Sequence, residues 1–306
     1  NFGPHIWKEE KVIFHYHIWK LVEDKKKVDK TYLYYYLLHQ TPFYLGGVNG
    51  ATMVHITKKN MEKKTAYIPS SLEVQHRIAS ILSTYDTLIE NNTKRIRFLE
   101  KMAENLYKEW FVRFRFPGHE KVEMENGLPK GWKIKRYEEV TEISAGGDKP
   151  LVCNEKQTED CSVPIFSNGV DNDGLYGFTN QAKIHVPCIT ISARGTVGFV
   201  VIRRCPFVPI VRLLSVIPKN GLDVFYLYFS SRSNDLEGNG TSQQQLTVPM
   251  LKKRKLIIPI ENIQKKFGER CSLLYEQMDI LRKQNTLLAR QRDLLLPRLM
   301  SGKLEV

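Results

Sequence analysis

The sequence predicts an α+β protein with two similar α/β modules, the first incomplete, and a long helix after each module. Three observations predict it. A junction of strand, proline and helix start occurs twice, as IPSSLEVQHRI at residues 68–78 and as IPIENIQKKF at 258–267. Each junction opens a run of apolar residues at alternating steps of three and four, the spacing of a coiled-coil helix. Short β-branched runs at 189–191, 198–202 and 208–217 indicate strands.

The repeat extends beyond the junctions. Gln75 aligns with Gln264 at an offset of 189, and the segment 32–35 aligns with 226–229 upstream of the junctions. Gly3 aligns best with Gly198, so the first module lacks a counterpart to the earlier part of the second. The predicted boundaries are 1–69 for the end of the first module, 70–116 for the first spacer helix, 117–127 for a linker, 128–259 for the second module and 260–306 for the second spacer helix.

The two predicted helices each carry a heptad seam. Because two such stripes in one chain are best buried against each other, we predict an antiparallel coiled coil with pseudo-twofold symmetry. Ser70 and Glu73 form a capping box that starts the first helix, and Pro117-Gly118 is expected to end it. Pro297 is expected to kink the second helix or end its regular part early. The predicted seam residues are Ile78, Leu82, Ile89, Asn92, Ile96, Leu99 and Leu106 in the first helix and Phe267, Leu274, Met278, Leu281, Leu288 and Leu295 in the second. Asn92 and Asn285 are expected to set the register of the pair.

Composition favours a nucleic-acid partner. The 46 Lys and Arg residues outnumber the 33 Asp and Glu residues and give a formal charge of +13, which attracts polyanions. The 5 cysteines are scattered without a C-x-x-C pair, so we expect reduced thiols in a cytoplasmic protein and neither a disulfide framework nor a zinc site. The chain starts at Asn1 without a methionine, from which we expect a part of a longer protein.

These features together resemble the DNA-specificity subunit of type I restriction-modification enzymes. The resemblance is carried by the twofold repeat, the IPSSLEVQHRI junction, LPKGW at the start of the second module, and SARGTVG followed by NGTSQQQL within it. It implies two target-recognition domains that each read half of a split double-stranded DNA target. It also implies two helices that separate these domains and dock methyltransferase subunits, and through them restriction subunits. S-adenosylmethionine and ATP are then expected on the partner subunits, with no cofactor on this chain.

The sequence carries no recognisable catalytic constellation. It has no N-P-P-Y motif of a DNA methyltransferase, no G-x-x-x-x-G-K-[ST] loop of a nucleotide motor and no nuclease carboxylate cluster. We therefore expect a non-catalytic subunit without catalytic or metal-binding residues.

Polar loops and basic residues supply the candidate DNA contacts. Arg194 lies on a glycine-bounded loop between two predicted strands, where it can bind guanine O6 and N7, although a solvated turn is the alternative. Asn168, in SNGVDNDG, can read bases or form a local turn. The glutamines of GNGTSQQQL suit adenine N6 and N7. The full predicted set is Asn168, Lys183, Arg194, Thr196, Arg203, Asn239, Thr241, Ser242, Gln243, Gln244, Gln245 and Lys252 in the second module, and Thr52, His55 and Lys58 in the first.

Two other functions remain open at this point. The chain can be a structural scaffold whose coiled coil joins protein partners and whose modules bind peptides, in which case it has no sequence preference on DNA. It can also be the recognition tail of a single-chain restriction-methylation enzyme.

Overall fold

A computed structural model describes residues 3–7, 11, 13, 18–45, 58–233 and 245–306. The chain divides into two compact units, residues 1–97 with 278–306 and residues 98–277. Both long helices contribute a segment to each unit.

The helices are α1 (Lys30–Leu45), α2 (Lys58–Glu62), α3 (Leu72–Tyr107), α4 (Tyr137–Val140), α5 (Val224–Ser233), α6 (Val248–Lys253) and α7 (Glu261–Met300). A π-helical turn (Lys108–Val112) and two 3-10 turns (His119–Lys121 and Asp171–Gly174) complete the helical elements of the described residues. The strands are β1 (Met124–Glu125), β2 (Leu128–Pro129), β3 (Lys133–Arg136), β4 (Thr141–Ala145), β5 (Val163–Phe166), β6 (Leu175–Thr179), β7 (Cys188–Ile191), β8 (Val200–Arg203), β9 (Val208–Pro209), β10 (Leu214–Pro218) and β11 (Lys255–Ile258).

In the first unit, α1 packs on α3 and α7. The tyrosines that precede the first junction are core residues, because Tyr32 and Tyr35 are buried against Ile78 and Leu82 of α3 and Leu299 of α7. The TYLYYYLL segment therefore packs and does not present a row of rings to solvent.

The antiparallel pairing predicted from the two seams is present in the first unit. Asn92 donates to Gln284 across 3.4 Å, and Asn285 donates to the Thr93 hydroxyl across 3.3 Å. Farther along, the Arg292 guanidinium donates to the Asp86 carboxylate. Residue numbers thus fall on α7 as they rise on α3. Every predicted seam residue is buried or half-buried.

Asp86 also joins the helix pair to α1. The Tyr35 hydroxyl donates to this carboxylate, and burial together with the hydrogen bond to Asp86 raises the Tyr35 pKa. We call Tyr35, Asp86 and Arg292 the polar triad. The repeat places Phe229, Tyr275 and Ala103 at the equivalent positions of the second unit, all three buried.

The described residues of the second unit form four small sheets. The largest has strand order β4-β10-β7-β8 with antiparallel neighbours, and α5 packs against its strands β7, β8 and β10. A three-stranded sheet has the order β6-β5-β9, and two-stranded sheets pair β11 with β3 and β1 with β2. These elements confirm the predicted strands at 189–191 and 198–202. The predicted strand at 208–217 is interrupted between β9 and β10, where Val211 and Arg212 have positive φ.

An aromatic cluster lies between α5 and the two long helices in the second unit. Phe111 lies 4.7 Å from Tyr226 and 5.0 Å from Phe267, measured between ring centroids. Trp110 lies 6.0 Å from Phe267. Edge-to-face rings of this kind add stability beyond the area that they bury. The cluster ties the end of the first helix to the start of the second.

Both predicted helix ends differ in detail from the structure. The first helix changes to π geometry after Tyr107, and the chain turns at Phe114 with φ of 57° before it reaches Pro117. The π turn buries Trp110 and Phe111 side by side in the aromatic cluster. The second helix continues through Pro297 to Met300, so Pro297 does not end it early.

The duplicated glutamine explains why the two junctions are alike. Gln264 is 3% exposed, accepts a hydrogen bond from the Asp223 N–H at 3.1 Å and donates to the Pro259 carbonyl at 2.7 Å. Asp223 in turn caps α5 by accepting from the Tyr226 N–H at 2.9 Å. The Gln264 amide therefore joins the end of β11, the long helix α7 and the start of α5.

The first junction repeats this arrangement. Gln75 is 0% exposed, accepts from the Asp29 N–H at 2.8 Å and donates to the Pro69 carbonyl at 2.7 Å. It also donates to the Lys27 carbonyl at 3.0 Å. Asp29 caps α1 by accepting from the Tyr32 N–H at 2.8 Å. We call each of these sets a glutamine junction.

The two junctions differ at one helix position. A Cβ atom on Gly268 would lie 2.0 Å from the Asp223 carboxylate, so glycine lets that carboxylate press against α7. The repeat places Ala79 at the equivalent position, where Asp29 directs its second oxygen to His76 Nε2 at 3.2 Å.

We predict that Gln264→Ala lowers the free energy of unfolding by about 2–4 kcal/mol. The substitution leaves the Asp223 N–H and the Pro259 carbonyl without partners, and each such buried group costs about 1–3 kcal/mol. Urea denaturation measures the change. The control is Gln277→Ala, an exposed glutamine of the same helix, which should stay within about 0.5 kcal/mol of the parent. Equal losses in the two variants would contradict the structural role of the junction.

Candidate nucleic-acid interface

Three polar loops predicted to contact DNA are connected at Ala193 in the second unit. The Ala193 N–H donates to the Asn168 side-chain oxygen at 2.8 Å, and the Ala193 carbonyl accepts from the Leu246 N–H at 3.1 Å. Asn168 belongs to SNGVDNDG, Ala193 to SARGTVG, and Leu246 ends NGTSQQQL. The fold therefore gathers segments that are 25 or more residues apart in the chain.

Arg194 projects from a hairpin, as the sequence predicts. Strands β7 and β8 pair in antiparallel register from Ile191 with Val200, and the loop is closed by a hydrogen bond from the Ser192 N–H to the Phe199 carbonyl at 2.9 Å. Gly195 has φ of 71°, a conformation that favours glycine. Arg194 and Thr196 are exposed at the tip. Their contact with DNA remains a prediction.

A strained corner lies beside this hairpin. Val211 and Arg212 have φ of 52° and 61°, a left-handed conformation that is a rare outlier for a β-branched residue. Such positions cost on the order of 1–3 kcal/mol each and persist where the surrounding structure fixes them. Here the Val211 N–H donates to the Gly147 carbonyl at 2.9 Å, and the Arg212 N–H donates to the Gly146 carbonyl at 3.0 Å. The Asn168 amide donates to the Val211 carbonyl at 2.6 Å.

The corner and the hairpin border a cavity of about 380 Å³ lined by Gly146–Lys149, Arg194 and Val211–Arg212. The lining thus includes two arginines and one lysine, together with Asp148 as its one acidic residue. The Lys183 ammonium adds positive charge nearby, at 3.5 Å from the place where a Cβ of Gly147 would lie. Lys149 also lies over the exposed ring of Tyr176, 5.3 Å from its centroid. We call this space the basic cavity.

Sequence reasoning did not select Lys149 or Arg212. Their place at the cavity depends on the left-handed corner. The segment VPIVRLL, which contains this corner, has no glycine or asparagine that would indicate a turn. The nearest available signal was the Gly146-Gly147 pair, which indicates close backbone approach.

The prediction that Arg203 contacts DNA is wrong. Arg203 is 5% exposed, and its guanidinium donates to the Thr190 hydroxyl at 3.0 Å and to the Asp173 carbonyl at 2.6 Å. It also lies over the Phe166 ring at 3.5 Å. Burial lowers its pKa to about 10. The residue supports the 167–174 loop from inside, because its position on β8 faces the core.

Of the two roles that the sequence left open for Asn168, the structure shows the local turn. Its loop is a local turn, closed by a hydrogen bond from the Ser167 N–H to the Gly174 carbonyl at 2.8 Å, with Asn172 and Asp173 in left-handed conformation. Both ends of the Asn168 amide are bonded within the unit. This arrangement makes Asn168 a connector between loops, and a contact of its side chain with a base remains untested.

The other predicted contacts fall into two groups. Lys183 and Lys252 are exposed, and Gln245 is half-buried next to Leu246. The remaining predicted residues lie outside the described residues, or in the case of Lys58 have a side chain outside them: Thr52, His55, Lys58, Asn239, Thr241, Ser242, Gln243 and Gln244.

Neither a metal cluster nor a membrane span is found in the part of the chain that the structure describes. That part has no group of three or more His, Cys, Asp and Glu side chains placed to hold a metal ion. None of its helices has the length and apolarity needed to cross a bilayer.

Comparison with known proteins identifies the family. The family model described as type I restriction modification DNA specificity domain matches residues 1–101 and 129–290. The MjaIX type I restriction enzyme specificity subunit of Methanocaldococcus jannaschii is 27% identical, over 92% of this chain and 71% of that protein. The HindI specificity subunit of Haemophilus influenzae is 24% identical, over 83% and 72%.

A solved structure supports the fold. The S subunit of a type I restriction-modification system from M. genitalium has a TM-score of 0.59 at 18% identity, over 90% of this chain and 74% of that one. The fold is therefore shared although few residues are. With most of its length matched by the family model, the chain belongs to the type I restriction-modification DNA specificity family.

Proposed function

We propose that this chain is the non-catalytic DNA-reading subunit of a cytoplasmic type I restriction-modification complex, specific for a bipartite double-stranded target. It positions methyltransferase subunits, and through them restriction subunits, on that target. S-adenosylmethionine and ATP are then bound by the partners, which supply the methylation and motor chemistry. The observation that carries the DNA-reading role is the basic cavity, where Arg194, Arg212 and Lys149 meet.

The second module combines the two kinds of contact that sequence-specific binding requires. Phosphate contacts fix the position of a protein on DNA, and contacts with base edges read the sequence. The basic cavity supplies charge for the first. Arg194 on its exposed hairpin tip and the half-buried Gln245 supply donors and acceptors for the second. The hydrogen bonds at Ala193 hold these groups on one connected set of loops.

The helix pair of the first unit offers a surface for the methyltransferase. Ile280, Leu287 and Leu294 lie seven residues apart along α7 and are each more than half exposed. Ile81 and Leu88 are exposed along α3 with the same spacing. Seven residues are about two helical turns, so each set forms a line along its helix. We call these five residues the apolar face.

On α7, the line of Ile280, Leu287 and Leu294 lies on the side of the helix that points away from α1. Leu296 packs in the core cluster with α1, and it is two residues from Leu294. Two residues correspond to a rotation of about 200° around a helix axis. A helical segment of a methyltransferase subunit, with apolar residues every three or four positions, fits such a face.

We predict that Arg194→Ala weakens binding to the target by about 1–3 kcal/mol and relaxes discrimination at one base position. By contrast, Lys252→Ala should weaken binding to all DNA sequences alike. It should also lower by about 1 the slope of log affinity against log salt concentration. Competition binding with the complex reconstituted from its methyltransferase subunits measures both effects, after mapping of the methylated adenines has given the target.

The control for this experiment is Lys121→Ala, an exposed lysine of the linker, which should change neither quantity. Unchanged sequence preference after loss of both Arg194 and Gln244 would refute the readout. Absence of any sequence preference in the parent complex would favour the scaffold function instead.

We predict that Ile280→Glu combined with Leu287→Glu weakens association with the methyltransferase subunit at least tenfold. Each fully buried Leu or Ile contributes about 1.5–3 kcal/mol, and the charged replacements oppose burial further. Titration of the labelled chain with that subunit measures affinity. The control Arg97→Glu changes net charge by the same amount at an exposed position of α3, about 180° around the helix axis from Leu88. Equal affinity of double variant and control would place the docking surface elsewhere.

A further inference from the structure

We propose that the basic cavity binds one backbone phosphodiester group of the DNA, and that Asn168 is the positioning residue that shapes this subsite. The inference rests on the proposed function and adds to it the chemical group that enters the cavity. It also assigns Arg212 and Lys149 to phosphate contact.

Three backbone groups of the strained corner are hydrogen-bonded to neighbouring segments. The N–H groups of Val211 and Arg212 bond to the carbonyls of Gly147 and Gly146, and the Val211 carbonyl accepts from Asn168. Left-handed backbone at two successive residues is retained only when the surroundings impose it, and it is concentrated at ligand sites. The consequence is that the Arg212 side chain starts from a fixed backbone beside the cavity.

The glycines opposite the corner allow its close approach. A Cβ on Gly146 would lie 2.7 Å from the Pro209 carbonyl carbon and 2.8 Å from the Ile210 nitrogen. Only glycine therefore permits this segment to run against the chain that leads into the corner. Lys149 follows these glycines in the chain and also lines the cavity.

The chemistry of the lining favours a phosphate over a base edge. Arg194, Arg212 and Lys149 are donors with fixed positive charge, and none of them belongs to a salt bridge between described residues. A guanine edge engages one arginine and would leave the other cations without a partner. A phosphodiester oxygen pair accepts from guanidinium and ammonium donors together, with charge-assisted hydrogen bonds.

Asn168 links the two loops that carry the arginines. Its oxygen accepts from Ala193, the residue before Arg194, and its nitrogen donates to Val211, the residue before Arg212. Replacement by alanine removes both bonds and frees the two loops from each other. Replacement by aspartate keeps the acceptor for Ala193 but turns an oxygen toward the Val211 carbonyl.

Replacement of single phosphates by neutral methylphosphonates tests the subsite. A series of target duplexes carries one methylphosphonate each, and the reconstituted complex is titrated with every duplex. At one phosphate next to the half-site read by the second module, we expect the parent to lose about tenfold in affinity, the scale of one charge-assisted hydrogen bond. With Arg212→Gln or Lys149→Gln, that same duplex should lose less than about twofold relative to the unmodified one.

The variants distinguish loss of a charge in the subsite, loss of its positioning residue and loss of folded protein. Asn168→Ala should abolish the same phosphate effect although it removes no charge, a result that a residue without a link to the cavity would not give. Arg212→Gln leaves every backbone hydrogen bond of the corner in place, so it tests the subsite even where Asn168→Ala lowers the yield of folded protein. Lys121→Gln is the matched control and should keep the full phosphate effect.

The outcomes distinguish this inference from the proposed function. If the parent complex shows no preference for any sequence, the proposed function fails. If it binds its target and Arg212→Gln keeps the full effect at every phosphate, the subsite is wrong and the proposed function stands. A single phosphate whose effect disappears with Arg212, Lys149 and Asn168 alike supports both parts of the inference.

Discussion

The glutamine junction is the interaction on which the arrangement of modules and helices depends. A long helix on its own fixes no direction for the domain that precedes it. Gln75 and Gln264 remove that freedom, because each amide bonds at the same time to the strand end before its helix and to the capping residue of an earlier helix. Both amides are buried, so water cannot replace these bonds without loss of stability.

This constraint accounts for the pattern of likeness and difference between the two halves. The residues that repeat with fixed spacing are those of the junction and the seam, where geometry is imposed. Gly268 shows the limit of the repetition, since the Asp223 carboxylate takes the space that Ala79 fills in the other half. The loops that we propose to contact DNA lie outside these positions of fixed geometry.

Much of the fold could be predicted from the sequence because its signals are local. Heptad spacing and the β-branched runs each act within a few residues of the chain, and the structure contains both long helices and the strands indicated at 189–191 and 198–202. The run at 208–217 is divided between β9 and β10. The site was predictable only in part. Arginine is a common anchor for phosphate at a protein surface, but Arg203 lies on the face of β8 that points into the core and is therefore buried. Arg212 and Lys149 matter through a left-handed corner that tertiary hydrogen bonds impose, so no local pattern reveals them.

The polar triad affects how well two copies of the chain could pair through identical long helices. Where α3 pairs with α7, Asp86 meets Arg292 and Tyr35. If α3 paired with α3 of another molecule in the same register, the repeat would place Ala103 opposite Asp86 and leave a half-buried carboxylate without its guanidinium. Pairing of two α7 helices would set Arg292 against Tyr275. Uncompensated charge of this kind disfavours the wrong partner. Pairing of either helix with its own copy is thereby disfavoured relative to the pairing of α3 with α7.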